Sequence, residues 1–181
     1  MKINHSTISW TLLHHDQWNV YIAASEHGLC YVGSQNKPFD ELADWVKVKY
    51  PASELVQDDA KLQPFAAELV EYFQGARTRF EMAMDYKGTA FQNAVWNALC
   101  QIPYGQIFTY SDIASQIGKP AAVRAVGAAI GANPLLITVP CHRVIGKSGA
   151  LTGYRGGLDM KTRLLELERE DVSLRETMEY A

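Results

Sequence analysis

The apolar pattern of this chain changes character at one short polar stretch, Asp85-Tyr86-Lys87-Gly88, and that change limits the folds open to it. Before the stretch, apolar residues recur with period two. Ile8, Trp10 and Leu12 alternate with Thr7, Ser9 and Thr11; Trp18, Val20 and Ile22 alternate with Asn19 and Tyr21; Leu29-Cys30-Tyr31-Val32 follows Gly28. These runs predict β-hairpins. A helix is predicted from Pro38-Phe39-Asp40 to just before Pro51. A second carries Leu62, Phe65, Leu69 and Phe73 on one face and ends near Gly75, and Phe80, Met82 and Met84 then alternate as a strand. After the stretch the pattern is helical. Thr89 is placed to cap a helix that buries Phe91, Val95 and Leu99 and closes at Pro103, and Tyr104-Gly105 signals a turn. Ser111 then caps a helix over 112–117, ended by Gly118, and Pro120 opens another that runs to Gly131. Two domains follow: an α/β domain over 1–87 and a mainly α domain over 88–181, with two short helices in a helix-turn-helix pattern.

The second helix of that pair is small-sided almost all round, through Ala121, Ala122, Ala125, Gly127, Ala128 and Ala129, with Arg124 as its one long cation. A glycine inside a helix costs about 1 kcal/mol relative to alanine, so close approach of something bulky is its use. Either another helix or a nucleic-acid backbone fits. Charge points the same way. Residues 88–164 have only Asp112 and Asp159 as acids and sum to +5, between an acidic N-terminal part and an acidic C-terminal end. A local basic segment implies an anionic partner.

The chemistry concentrates in Pro140-Cys141-His142-Arg143, directly after the apolar run Leu135-Leu136-Ile137-Thr138-Val139. Cationic neighbours favour thiolate, the form that attacks carbon, so the run reads as an activated nucleophile at the end of a buried segment. Three cysteines, Cys30, Cys100 and Cys141, argue against a disulfide framework and for a reducing compartment. No signal peptide is legible, and the longest uncharged stretch is broken by Asn133-Pro134, so no membrane span is expected. Cys30 lies near His27, but no second nearby cysteine completes a tetrahedral set, and no metal is expected.

Ile102-Pro103-Tyr104-Gly105, Thr109-Tyr110, Arg124-Ala125-Val126-Gly127, Asn133-Pro134, Pro140-Cys141-His142-Arg143-Val144-Ile145 and Gly153-Tyr154-Arg155-Gly156-Gly157 occur in one order. Together they resemble the methylated-DNA–protein-cysteine methyltransferases, which repair O6-alkylguanine. The resemblance is specific over about residues 89–170 and looser before, where it implies a ribonuclease-H-like α/β domain. For the C-terminal domain it implies a winged-helix-like helix-turn-helix whose second helix enters the minor groove while the damaged base is flipped out.

Residue by residue, the resemblance implies Cys141 as alkyl acceptor, His142 as a base acting through a water, and Glu168 as the carboxylate that orients it, with Glu166 a competitor on the same helix. Tyr110 matches the tyrosine that protonates the base at N3. Arg124 matches an arginine finger that fills the space of the flipped base. Ala125 and Gly131 belong to the DNA-facing helix, and Arg143 is counted with the DNA contacts. Asn133 matches the residue tying that helix to the active-site turn. The carbonyls of Cys141 and Val144 would select guanine, and the N–H of Arg155 would donate to O6 while its side chain reaches a phosphate. Tyr154, Leu136 and Thr152 would line the pocket. The family resemblance further implies one irreversible transfer per molecule, no cofactor, double-stranded DNA carrying O6-alkylguanine (and O4-alkylthymine) as substrate, a monomer, and a cytoplasmic location. Cys141 argues against a lesion marker that lacks the acceptor. A cysteine hydrolase would leave the small-sided helix unexplained, and a transcriptional sensor would carry an extra zinc domain.

Overall fold

The alternation in the first third of the chain becomes a twisted sheet in the computed structural model, which describes residues 6–180. Strands β1 (Thr7–His15) and β2 (Trp18–Ala24) form an antiparallel hairpin, and β3 (Leu29–Val32) continues antiparallel on β2. Helix α1 (Phe39–Lys49) leads to β4 (Glu54–Gln57), which pairs parallel to the far side of β1 and gives the order β3-β2-β1-β4. The sequence reading did not include β4: its four residues are half-buried or exposed and carry no alternation. The parallel pair explains the intervening helix, since a parallel connection must cross over the sheet.

Each face of the sheet has its own helix. Ile8, Ala23 and Tyr31 pack with Leu42 and Val46 of α1. Val20, Ile22, Ala24, Leu29 and Val32 pack with Leu62, Leu69 and Tyr72 of α2 (Asp59–Phe73), capped by the Asp58 side chain. Leu12, on the face of Ile8 and Trp10, is exposed, whereas Leu13 on the opposite face is buried. The predicted strand through Phe80, Met82 and Met84 is absent as an element. Only Met84 makes a bridge, to Leu29, and residues 83–85 run as an extended cover on the edge of β3.

The C-terminal half packs onto the same core. Thr89 caps α3 (Ala90–Leu99) with a full capping box to Gln92. After it come β5 (Phe108–Thr109), α4 (Tyr110–Gln116) and α5 (Val123–Gly131), and the three helices pack on one another. Thr109, not Ser111, caps α4, in a reciprocal box with Asp112 that places Tyr110 on the first turn. The helix ends in a Schellman turn: Gly118 at φ +72 donates to the Ser115 carbonyl and Lys119 to that of Ala114. Pro120 lies outside the next helix. It occupies the second position of a turn closed by Ala122 N–H on the Lys119 carbonyl, where its fixed φ is favoured, and α5 begins three residues later than the sequence predicts. A short 3₁₀ turn (Cys141–Arg143) leads into β6 (Val144–Ile145), parallel to β5, and α6 (Leu158–Glu179) closes the chain.

The two halves are stitched at β3. Val32 N–H donates to the Pro134 carbonyl and forms a bridge with Leu135. Arg155 completes the seam from a half-buried position. It donates to the carbonyls of Asn133 (3.0 Å), Val32 (2.8 Å) and Pro134 (3.2 Å), pairs with Glu41 and stacks on Tyr31. The phosphate contact expected of this side chain is therefore replaced by an inward one, because three buried carbonyls converge there and each has a lone pair to offer the guanidinium. Arg155→Ala is expected to lower the free energy of unfolding by about 2–3 kcal/mol, the scale of losing charged hydrogen bonds to buried carbonyls. An unchanged urea midpoint would show that the seam does not depend on this side chain.

Candidate active site

Cys141 is presented by a tightly folded segment. Ile137 has φ +71, and Thr138 N–H bonds back to the Leu136 carbonyl at 2.8 Å, a γ-turn centred on a β-branched residue. Pro140 (φ −80, ψ 60) centres a second such turn, with Cys141 N–H on the Val139 carbonyl at 2.7 Å. Residues 135–144 are all buried. Asn133 holds the segment from within. Its amide nitrogen faces the carbonyls of Leu135 (3.2 Å) and Val139 (3.0 Å) and the Sγ of Cys141 (3.1 Å), while its oxygen accepts from Leu135 N–H. Asn133 directly follows α5 and its C-cap, so it couples the end of that helix to the cysteine.

The side chains of His142 and Arg143 converge on Glu168. His142 Nε2 lies 2.7 Å from Glu168 Oε1, both groups being shut off from solvent. Arg143 straddles the same carboxylate, with Nε 3.1 and 3.0 Å from its two oxygens and Nη2 2.8 Å from Oε1, and its Nη1 donates to the Ile102 carbonyl. The N–H of Gly105 adds a bond to Oε2 at 3.2 Å. Gly105 has φ +77, and a Cβ there would strike Val172 at 2.6 Å, so the turn signalled by Tyr104-Gly105 needs its glycine. Of the two competing carboxylates, Glu168 is buried and Glu166 exposed. Arg143 is 6% exposed, which removes it from the expected DNA contacts. An arginine that neutralises a buried carboxylate has no reach to solvent.

Electrostatics correct a second expectation. Burial pushes the Cys141 thiol up; the Asn133 hydrogen bond and the charges of Arg155 and Lys161 oppose this without reversing it. The adjacent cations do not make a thiolate, because His142 and Arg143 are turned toward Glu168. Burial likewise holds His142 below the ordinary imidazole range, against the pull of Glu168. Burial alone would raise Glu168, but hydrogen bonds and charge from His142 and Arg143 outweigh it and keep the carboxyl far below its usual range. The resting pair is thus a neutral thiol beside a neutral imidazole. With Nε2 committed to Glu168, Nδ1 is buried with no partner among the described residues and is the nitrogen left to take a proton.

Around this centre, Thr152 Oγ1 lies 3.3 Å from the Tyr110 hydroxyl. Leu136 is fully buried, and it and the Tyr154 ring pack closely about Gly156. The Tyr154 hydroxyl is buried without a partner among the described residues. The carbonyls of Cys141 and Val144 each accept one bond already, from Val144 N–H and from Lys161 Nζ (2.6 Å). Arg124, Ala125, Ala128 and Gly131 are exposed on α5, so its outer surface is slim, while Gly127 faces Tyr110.

Two contributors were missed by the sequence reading. Lys161 is wholly out of solvent and ties the Val144 carbonyl to that of Thr152 (3.0 Å). Its spacing from Leu164 and Glu168 puts it on the inward face of α6, a signal masked by the strong preference of lysine for the surface. Tyr72 comes from α2 and donates to Glu168 Oε1 at 2.7 Å. Its place three residues after Leu69 marked it as core, without indicating where its hydroxyl would point.

A buried cysteine held by an amide, with a His–Glu–Arg cluster beside it and a slim exposed helix nearby, defines a cysteine-centred protein. Comparison with known proteins gives the family. A model described as the 6-O-methylguanine DNA methyltransferase DNA-binding domain matches residues 90–170, and one described as the ribonuclease-like domain of the same protein matches residues 8–86. The chain is 62% identical over 169 residues to an inducible methylated-DNA–protein-cysteine methyltransferase of Bacillus subtilis, covering 93% of this chain and 94% of that one. A namesake from Methanosarcina barkeri is 42% identical over 84% of this chain and 92% of its own. Among solved structures, the O6-methylguanine methyltransferase of Mycobacterium tuberculosis superposes with a TM-score of 0.79 at 37% identity, covering 91% of this chain and 94% of its own. The same organism's OGT in complex with DNA gives 0.78 at 37%, over 90% and 94%. The chain belongs to the 6-O-methylguanine DNA methyltransferase family.

Glu168 fixes a pH prediction. Its folded pKa lies below its unfolded value, so its contribution is fully present above the ordinary carboxylate range and is lost as pH falls toward the folded value. Glu168→Gln, which leaves Arg143 buried without a counter-charge, is expected to cost about 3–5 kcal/mol at neutral pH. It should also flatten the fall in stability below about pH 5. Denaturant unfolding of both proteins at several pH values checks this; parallel pH profiles would show that another group carries the acid sensitivity.

Proposed function

We propose that this protein repairs DNA by moving the alkyl group of O6-alkylguanine, and of O4-alkylthymine, irreversibly onto Cys141. The observation that carries the reading is the placing of Cys141 and His142 in one buried turn, with Glu168 of α6 on the imidazole and Asn133 tying the turn to the end of a slim exposed helix. In this reading α4 and α5 are a winged-helix-like helix-turn-helix. Helix α5 enters the minor groove on its Ala125, Ala128 and Gly131 face, and Arg124 fills the space of the flipped base. The base lies among Tyr110, Tyr154, Leu136 and Thr152. The second lone pairs of the Cys141 and Val144 carbonyls select guanine, and the Arg155 N–H donates to O6.

The thiol proton passes through a water to His142 Nδ1, and Glu168 stabilises the imidazolium that forms. Sγ then attacks the alkyl carbon in line: an S–C bond forms, the C–O6 bond breaks, and its electron pair stays with guanine. Tyr110 supplies a proton at N3 as that charge develops, and the proton taken from the thiol restores the balance through solvent. The product thioether has no route back, so each chain acts once and needs no cofactor. The protein works as a monomer on double-stranded DNA. Its free cysteines, Cys141 among them, suit the cytoplasm. No described helix is long and apolar enough to cross a membrane.

Intact mass after mixing with excess duplex holding one O6-methylguanine is expected to rise by one methyl, mapped to Cys141 and stopping at one per chain. A modification elsewhere, or continued turnover, would sink the reading. Cys141→Ser should keep lesion binding and lose transfer. Arg124→Ala should slow repair of duplex much more than reaction with a free base analogue, by roughly tenfold or more given the few kcal/mol that extruding a base costs. Equal losses on both substrates would remove the finger role.

A further inference from the structure

One contact at the relay comes from the other domain. Tyr72, on the last turn of α2, is fully buried, and its hydroxyl donates to Glu168 Oε1 at 2.7 Å and lies 3.5 Å from His142 Nε2. Its ring is fixed edge-on to Phe73 and Tyr104 and tilted against Phe80, so the hydroxyl has one direction to point. Glu168 Oε1 is also the oxygen that His142 and Arg143 approach most closely, at 2.7 and 2.8 Å. Three donors on one oxygen compete: each draws electron density and weakens the acceptor for the others. Phenylalanine would fill the same space, so the hydroxyl acts on Glu168 more than on packing.

We propose that Tyr72 is a positioning residue of the relay, setting how strongly Glu168 draws on the imidazole and making the N-terminal domain a working part of the C-terminal site. The proposal rests on the relay reading of Cys141, His142 and Glu168. The charged and titratable groups around His142 are Glu168, Arg143, Lys161, Cys141 and Tyr72, with Tyr104 and Tyr154 next to these. Among them Tyr72 is the neutral donor from α2. Removing its hydroxyl leaves more negative charge for His142 and makes the imidazole more basic. Burial keeps both thiol and imidazole neutral at rest, so the acid limb of the transfer rate reports protonation of His142, and that limb moves to higher pH.

The test is single-turnover methyl transfer from an O6-methylguanine duplex across a pH series, with NMR of the His142 ring N–H, for the wild-type protein and Tyr72→Phe. The expected result is an acid limb raised by about half a pH unit or more and a downfield shift of the Nε2 proton. A variant with 3-fluorotyrosine at position 72 keeps the hydroxyl as a stronger donor and should move both readouts the opposite way, whether or not the phenylalanine variant folds. Rate profiles and resonances that overlay the wild type would overturn the proposal and leave Tyr72 a packing residue. Failure of wild-type Cys141 to take the methyl overturns the relay reading itself, and that is seen before any variant is made.

Discussion

The structure turns on the carboxylate of Glu168. It is buried, ionised and approached by His142 and Arg143 from the active-site turn, by Tyr72 from α2 and by the Gly105 N–H from the turn after α3. Each of these groups would be costly to bury alone, and so would the carboxylate. Together they satisfy one another, and three separate parts of the chain, drawn from both domains, are locked in register around α6. The arrangement gives little net stability over an apolar core of the same volume. What it provides is a defined orientation for the imidazole beside a cysteine.

That cysteine is kept quiet. Burial favours the thiol, and the strained segment with Ile137 in the left-handed region holds Sγ against Asn133 rather than against a cation. The stoichiometric acceptor we propose gains from this. A free thiolate would be spent on any electrophile, whereas under the proposed function the thiol reacts once it hands its proton to His142 with a substrate already in line. Strain at Ile137, the double γ-turn and the convergent bonds of Asn133 are the local cost of fixing Cys141.

Much of this was legible in the sequence. The period-two runs gave the three antiparallel strands, Pro38 and Pro51 bracketed α1, the apolar stripe gave α2, and Thr89 marked the start of α3. The cysteine turn and the Glu168 partnership followed from motifs within one family. What failed did so for physical reasons. Strand β4 carries no apolar alternation because it is a sheet edge. The 80–84 segment has the alternation of a strand but pairs at one residue only. Ser111 and Pro120 look like helix starts, yet the reciprocal box of Thr109 with Asp112 and the turn closed on Lys119 compete successfully for the same backbone donors.

Charge was the least transferable signal, and the reason bears on recognition. The basic surplus of residues 88–164 implied a cationic surface, but sequence counts charges without saying where they point. Arg143 and Lys161 are buried, and Arg155 and Arg163 are turned onto Tyr31 and Trp18 of the N-terminal domain. Lys119, Arg124 and Lys147 remain outward. Three cations are a thin electrostatic footprint for a DNA surface. Under the proposed function, recognition then rests more on the shape of α5, whose exposed alanines and glycine let backbone approach backbone, than on neutralising phosphates. The buried cations have inward partners instead: Arg143 neutralises Glu168, Lys161 joins the carbonyls of Val144 and Thr152, and Arg155 seals the seam that carries Asn133. Charges that composition assigns to the ligand are largely spent on holding the Cys141 turn and its surroundings in place.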